Sequence, residues 1–522
     1  MVTLRRRRPG RDVVACAGLV ALAVVLRLVG LADRPFHHDE SQDAYFSWTF
    51  FTTGEYQYQP LLHGPVRFYL TAGAYALFCD SDFTARLVPA LVGSLLVPLP
   101  VLLREQLGRP AAYAAALLLA VGPSYLYFSR FAREDIYVVL ITLALLVVTF
   151  RFLASPRRHQ PALAGALLAL CFATKESTFI TVFVAGTFFV AALAWQVRRA
   201  GSWREAELVR TVASVGRVPW VWGLVAFLGT YTILFTTFLT NPDGVYGLYT
   251  GLDYWLGQQP VGRGGEPWFF YGVVLFAHEW PVLVLGAIGI VAALRRPTLL
   301  RVFLVWDFAL SLAVYSWASE KFSWLVLHPL LPLLLLAGFG VQTIWDARGR
   351  WSGRLGLVVV LVCLLHVGWA SWWANAENGA NPREFLVATQ SADAVKGVRD
   401  AVLAADARAR REGRDVSILI DSAEGATFPW AWYFRDRAVG YLDLTDAGIP
   451  PDTDVAVLTV ANRERLRDQL AGYDGRRFPF RVWWVRDYGA MSPRAWWDWF
   501  ARREPWNETG GMEEWLYLRQ GA

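Results

Sequence analysis

The feature that most constrains this chain is a succession of long apolar blocks separated by short charged or Pro- and Gly-rich joins. A bilayer core needs roughly 20 consecutive, mostly apolar residues per helix, and one soluble core has no use for so many of them. The blocks fall at about 13–31, 83–103, 110–128, 135–153, 161–174, 177–196, 218–239, 268–293, 299–318, 323–344 and 355–373. The expectation is a mainly α, polytopic membrane protein of about eleven transmembrane helices. Composition agrees: only 18% of residues are charged, against about 25% in ordinary soluble domains. A disordered tail, a disulfide scaffold and a compact soluble enzyme are excluded on these grounds. The four cysteines, Cys16, Cys79, Cys171 and Cys363, are far apart and read as small core residues rather than disulfides or metal ligands.

Topology follows from the positive charges. The first block has arginine on its N-terminal side, at Arg5 to Arg8 and Arg11, with Arg27 inside it and no small-x-small cleavage site after it, so it reads as an uncleaved first span. With the N-terminus inside, 21 positive charges lie on inside segments and helix ends and 8 on outside ones. That bias persists along the core and predicts an N-terminus in the cytoplasm and a C-terminus outside the cell membrane. The formal charge of +6 is therefore topological ballast. No zinc-finger spacing and no basic helix with base-reading residues accompanies it, so no nucleic-acid partner is expected.

Residues 32–82 form a large exoplasmic loop, with Ser41–Thr53 and Pro65–Phe78 as aromatic helices at the interface. Past Ala374 the character changes. A polar helix over 391–411, strands at 416–421, 455–460, 481–485 and 514–519, and helices near 427–437, 461–472 and 493–503 predict a small α/β domain. The expected division is a transmembrane core over 1–374 and an exoplasmic α/β domain over 375–522.

Ionisable residues gather at the outward ends of the spans. They are His37, His38, Asp39 and Glu40 after the first block, His63 within the loop, Arg130, Arg133, Glu134 and Asp135 between the third and fourth spans, Lys175 and Glu176 between the fifth and sixth, and Glu320 and Lys321 between the ninth and tenth. Charge at membrane depth is costly and points to function, although at an interface the cost falls. Each has a plainer reading: Asp39 as the cap of the helix that follows, Arg130 and Glu134 as a helical ion pair, and the Lys–Glu pairs as loop charges. Lysine tilts the balance. Of 50 basic residues only Lys175, Lys321 and Lys396 are lysine, and two of them sit at outward helix ends beside a glutamate. A compact ammonium suits a phosphate gripped as a point charge. Carboxylates that accept a proton, beside cations that hold an anion, suit transfer of a group from a lipid phosphate to a hydroxyl, with Asp39 as base. No Gly-rich nucleotide loop is present.

At these residues the chain resembles a known family. Arg34 to Glu40 (RPFHHDE), Gln59 to Pro65 (QPLLHGP), Arg130 to Tyr137 (RFAREDIY) and Lys175-Glu176 look like the protein O-mannosyltransferase-like, or GT-C, membrane glycosyltransferases, nearest to the prokaryotic flippase-activity-associated branch. Glu320 to Trp324, His328-Pro329 and Pro429 to Arg435 resemble later motifs of that branch. The resemblance implies an enzyme that takes a sugar from a polyprenyl-phosphate donor on the outer face and passes it, with inversion, to a protein or glycan acceptor. Asp39-Glu40 would be the catalytic acidic motif. Arg133, Lys175 and Lys321 would hold the donor phosphate, with Glu134, Asp135 and Glu176 orienting them or the acceptor. Arg130, Glu320 and His63 complete the expected substrate-binding set. His37 and His38, with His63 near Asp39, leave room for a divalent metal ion. The rival reading is a lipid-linked oligosaccharide flippase or its accessory, which needs a polar path across the whole membrane.

Overall fold

A computed structural model of the chain describes residues 9–520, so Arg5 to Arg8, counted above as a topology signal, lie outside the described residues. The chain opens with α1 (Pro9–Leu28), then α2 (His38–Thr53) and α3 (Val66–Leu77) in the first loop. The bundle continues as α4 (Asp82–Leu95), α5 (Arg109–Val121), α6 (Pro123–Ser129), α7 (Asp135–Ala154), α8 (Gln160–Phe172), α9 (Thr178–Ala200) and α10 (Val218–Phe235). After α11 (Gly247–Gln258) come α12 (Phe270–Arg295), α13 (Leu299–Trp317), α14 (Leu327–Asp346) and α15 (Trp351–Trp372).

Among the described residues, eight helical stretches are long and apolar enough to cross a membrane, or nine if α5 and α6, bent by 52°, count as one broken span. Nine of the expected spans fall on these stretches and the other two, 13–31 and 161–174, fall on α1 and α8, so eleven crossings are not established. Helix α1 carries Arg11, Asp12 and Arg27, and α8 has only 13 residues. Helix α14 is the buried axis of the bundle, from Leu327 to Gly340. Two glycines let α12 and α14 touch backbone to backbone. A Cβ on Gly289 would lie 1.8 Å from the Leu336 carbonyl oxygen, and one on Gly340 would lie 2.0 Å from that of Leu285. Small residues at helix crossings are how membrane bundles gain close packing.

The α5–α6 break explains two ionisable groups inside the bundle. Gly122 and Pro123 interrupt the helix, which frees carbonyls at the end of α5 and N–H groups at the start of α6. The fully buried Arg27 donates to the carbonyls of Leu119 at 2.9 Å and Ala120 at 3.0 Å, while Glu279 accepts from the Ser124 N–H at 3.0 Å. Helix α12 kinks at Glu279, two residues before Pro281.

The C-terminal domain contains α16 (Ala394–Arg411) and α17 (Pro493–Arg502) and one mixed six-stranded sheet. Its strands are β1 (Gln390–Ser391), β2 (Ile418–Asp421), β3 (Val439–Leu442), β4 (Val455–Thr459), β5 (Tyr473–Trp483) and β6 (Gly510–Arg519), in the order β1-β5-β6-β4-β2-β3. Strands β3, β2 and β4 run parallel, and β6, β5 and β1 join antiparallel. Strand β5 begins eight residues earlier than its aromatic end suggested, because Arg476 and Arg477 alternate with partners on β6 rather than marking a loop. The expected aromatic helix shrinks to one turn, Trp430–Tyr433.

Candidate functional site at the first loop

The first loop builds the site because its two helices are pinned at both ends. His37, not Asp39, caps α2: its Nδ1 accepts the Asp39 N–H at 3.0 Å, and the Glu40 carboxylate reaches back to the His37 N–H at 3.1 Å. Glu40 is fully buried against Arg86, with Nε to Oε1 at 2.8 Å and Nη2 to Oε2 at 2.7 Å, and also accepts the Ala132 N–H at 2.9 Å. Burial pushes its carboxyl up, but Arg86 and Arg34 outweigh this and hold it at about 2. With both oxygens taken by these donors, Glu40 is a clasp between the loop and α4 and not the catalytic partner of Asp39.

At the other end of the loop, His63-Gly64 passes against the turn between α8 and α9. The N–H groups of Gly64 and Val66 donate to the carbonyls of Thr174 and Ala173, each at 3.1 Å. A Cβ on Gly64 would stand 2.1 Å from the Ala173 oxygen, so only glycine fits. This contact delivers His63 to two carboxylates, Glu176 at 2.6 Å and Glu134 at 3.2 Å. Burial opposes the imidazolium, yet Glu134 and Glu176 raise its pKa above the ordinary value.

A network of charges follows. Glu134, fully buried, touches Arg133 at 3.1 Å and Lys175, His63 and Arg67 at 3.2 Å each. Burial disfavours its ionised form, but these cations hold it well below the usual carboxylate range. Lys175 reaches both oxygens of Asp135, at 2.9 and 2.8 Å, and His328 approaches Asp135 at 3.4 Å. Burial pulls the ammonium down while Asp135 and Glu134 lift it further, so Lys175 stays charged. Arg133 contacts Asp39 and lies 4.3 Å above the Trp324 ring. Asp39 is the open member: its side chain is 28% exposed, against 0% for Glu134 and 2% for Asp135. Burial pushes its carboxyl up, Arg133 and the two histidines pull it down, and the balance is a value below the ordinary one.

Charge counting assigns the cations. Arg67, Arg133, Lys175 and protonated His63 face five carboxylates, Asp39, Asp43, Glu134, Asp135 and Glu176, so each of these four cations is already matched from within the network. Lys175 is enclosed between its carboxylates Asp135 and Glu134. Lys321 differs. It is buried, its ammonium donates to the Ala318 carbonyl at 2.5 Å, and it has no carboxylate partner among the described residues. It opens onto a pocket of about 200 Å³ that it shares with Phe322, Trp483, Trp484 and Arg486. Glu320 beside it is half-buried, makes no ion pair among the described residues, and adds to the negative field on Arg133.

Arg130 does not join the cluster and makes no pair with Glu134. Its guanidinium donates to the carbonyls of Leu26, Val29 and Gly30 at the end of α1, at 2.8, 2.6 and 3.0 Å. The histidines are not gathered into a metal-ligand set, although the buried Nε2 of His37 has no partner among the described residues. Nδ1 of His37 is spent on the α2 cap, while His38 faces Arg481 at 2.9 Å and Gln42 at 3.1 Å. Among the described residues, no group of three His, Cys, Asp or Glu is placed to hold a metal. Arg67 and Arg86 belong to the site although their positions in the sequence read only as topology charges. Arg481 arrives from β5 with no local signal.

The family model for dolichyl-phosphate-mannose-protein mannosyltransferases matches residues 62–222, which include His63, Arg67, Arg133 to Asp135 and Lys175-Glu176. No curated protein matches the chain by sequence search. Solved structures match it closely in shape. ArnT from Cupriavidus metallidurans bound to undecaprenyl phosphate superposes with a TM-score of 0.62 at 16% identity, over 96% of this chain and 97% of that one. The archaeal oligosaccharyltransferase AglB from Archaeoglobus fulgidus, in complex with an inhibitory peptide and a dolichol-phosphate, gives 0.55 at 12% identity, over 87% and 69%. The mycobacterial arabinofuranosyltransferase AftD gives 0.51 at 14% identity over 97% of this chain, which spans 40% of that larger protein. The chain thus has the fold of these solved membrane glycosyltransferases, and its residues 62–222 are similar to the mannosyltransferase family.

Proposed function

We propose that the chain transfers a sugar from a polyprenyl-phosphate-linked donor to an acceptor hydroxyl at the outer face of the cell membrane, by a single inverting displacement. The observation that carries this reading is the position of Asp39. Among the described residues of an otherwise enclosed ionic network it is the most exposed carboxylate, with its side chain 28% exposed, and Arg133 favours its ionised form. In the reaction the acceptor oxygen bonds to the anomeric carbon, its proton passes to Asp39, and the bond from that carbon to the phosphate oxygen breaks. The lipid phosphate leaves with the electron pair, and Lys321, a cation with no carboxylate partner among the described residues, receives its charge. Two solved structures of this fold, ArnT bound to undecaprenyl phosphate and AglB in complex with a dolichol-phosphate, support a lipid phosphate as donor. The arginine bias supports the outer face, with the C-terminal domain on that side.

A flippase is less well supported. Two of the ionisable groups inside the bundle, Arg27 and Glu279, are spent on the α5–α6 break and form no polar path.

Sugar transfer from a polyprenyl-phosphate sugar by the purified protein tests the proposal. Asp39→Asn is expected to lose about 10²- to 10⁴-fold in rate with unchanged thermal stability. Glu40→Gln is expected to lose about 3–5 kcal/mol of stability instead, because it leaves Arg86 buried without its partner. Equal turnover in wild type and Asp39→Asn removes Asp39 as base, and lipid translocation without any transfer favours the flippase.

A further inference from the structure

A cavity of about 1000 Å³ has a lining that does not include Asp39. Helices α1 and α15 both pack on α6 and leave a cleft between them. Its floor is Val121 and Leu126, and its walls include Val25 on α1, Val29 just past its end, and Gly368 and Trp372 on α15. Val25, Val29 and Trp372 are exposed, so the cleft opens sideways where a membrane-embedded bundle meets acyl chains. Loop 379–382 and Val482 of the C-terminal domain roof it.

The polar end of this cleft has layered charge. Arg34 and Arg130 lie inward. Arg130 donates to three carbonyls of the α1 terminus, and Arg34 to those of Gly379 and Arg130. Carbonyls satisfy Arg130 without cancelling its charge, and Arg34 adds only a 3.5 Å approach to Glu40, a carboxylate already held by Arg86. Burial and the neighbouring Arg34 and Arg86 accordingly bring Arg130 down to about 10. Outside them, exposed to water, the same rim carries the carboxylates Asp33, Glu377 and Asp393.

We propose that the α1–α15 cleft binds a phospholipid whose tails lie along Val25, Leu126 and Trp372, whose phosphate meets Arg34 and Arg130, and whose headgroup ends in a free ammonium facing Asp33, Glu377 and Asp393. A purely anionic headgroup would place negative charge among three carboxylates. A quaternary one would lack the N–H donors that those carboxylates accept. The site is separate from the Asp39 network and does not depend on the transfer reaction.

Lipid retention by the full chain, measured by native mass spectrometry after exchange into detergent doped with one lipid at a time, tests the site. Phosphatidylethanolamine should be retained at least about tenfold more than phosphatidylglycerol or phosphatidylcholine, on the scale of a lost charge-assisted contact. Gly368→Phe should abolish retention: a Cβ there meets nothing within 4 Å, so the ring grows into the cleft without disturbing the fold. Asp33→Asn combined with Glu377→Gln should erase the preference for phosphatidylethanolamine while leaving some retention. Phosphatidylglycerol held as well as phosphatidylethanolamine overturns the headgroup assignment. Retention indifferent to Gly368→Phe, in a variant that melts like wild type, overturns the site.

Discussion

His63 shows how one residue ties the loop to the bundle. Its ring bridges Glu134 and Glu176, with Lys175 as the opposing neighbour, and its pKa is raised. A histidine raised on folding contributes stability that is fully present below its unfolded value, about 6.5, and fades as pH climbs through the folded value. The expected outcome is a gap in melting temperature between wild type and His63→Gln that is widest near pH ~6 and narrows towards pH ~9. Scanning fluorimetry of both proteins across that range checks it, and a gap independent of pH means the bridge is made by a neutral ring. That His63 belonged to the site was legible from its place beside Gly64-Pro65 and the resemblance. Its bridging role was not, because Glu134 and Glu176 lie 71 and 113 positions away. The same holds for Glu40, which looked like a second catalytic acid beside Asp39. Consecutive residues at the start of a helix point in different directions, and only the fold shows that one faces solvent and the other Arg86.

At the scale of elements, the broken helix α5–α6 places Arg133 to Asp135 at the end of the bundle, and two groups from other helices stabilise the break. Glu279 accepts one N–H, and a glutamine oxygen can do the same. Glu279→Gln should therefore leave stability nearly unchanged, whereas Glu279→Leu strands the Ser124 N–H in an apolar interior and should cost about 1–3 kcal/mol. Melting of the two variants in detergent checks the pair; equal losses would show that the charge, not the acceptor, holds the break. The blocks of apolar residues made nearly every bundle helix visible, since length and hydropathy are local properties. The break at Gly122-Pro123 was read as part of one continuous span over 110–128. Its stability depends on Arg27 and Glu279, groups from α1 and α12 that no window along the sequence can associate. Strand β3 escaped for a similar reason: four residues, alternately half-buried and exposed, are recognisable only once β2 supplies the partner.

At the scale of the whole molecule, the first loop is the part shared by bundle and C-terminal domain, and the domain docks on it through a shared apolar cluster, Phe36 and Tyr75 against Trp432 and Tyr433, and through polar ties. Trp432 donates from Nε1 to Asp82 at 2.8 Å, the Phe36 N–H donates to the Tyr433 hydroxyl at 3.0 Å, and Arg435 pairs with Asp80 at 3.0 Å while lying 3.8 Å from the Trp432 ring centre. The motif over 429–435, readable in the sequence as a resemblance, thus fixes orientation. Its tryptophans are consumed by packing and docking, and Trp430 and Trp432 are fully buried. Arg481, from the same domain, touches His38 next to Asp39, so a tilt of the domain moves the neighbourhood of the proposed base. Reversing Arg435 to Asp places two carboxylates face to face and should loosen the docking. It should lower both melting temperature and transfer rate without any change at Asp39 itself. Adding Asp80→Arg restores opposite charges across the same gap. A double-mutant cycle should then give a coupling of about 0.5–3 kcal/mol, with transfer recovering in parallel. If stability recovers but transfer does not, the domain is held in place without setting the geometry at Asp39. If neither recovers, Trp432 stacking and the Asp80 backbone contact of Arg435, rather than charge, align the two parts of the molecule.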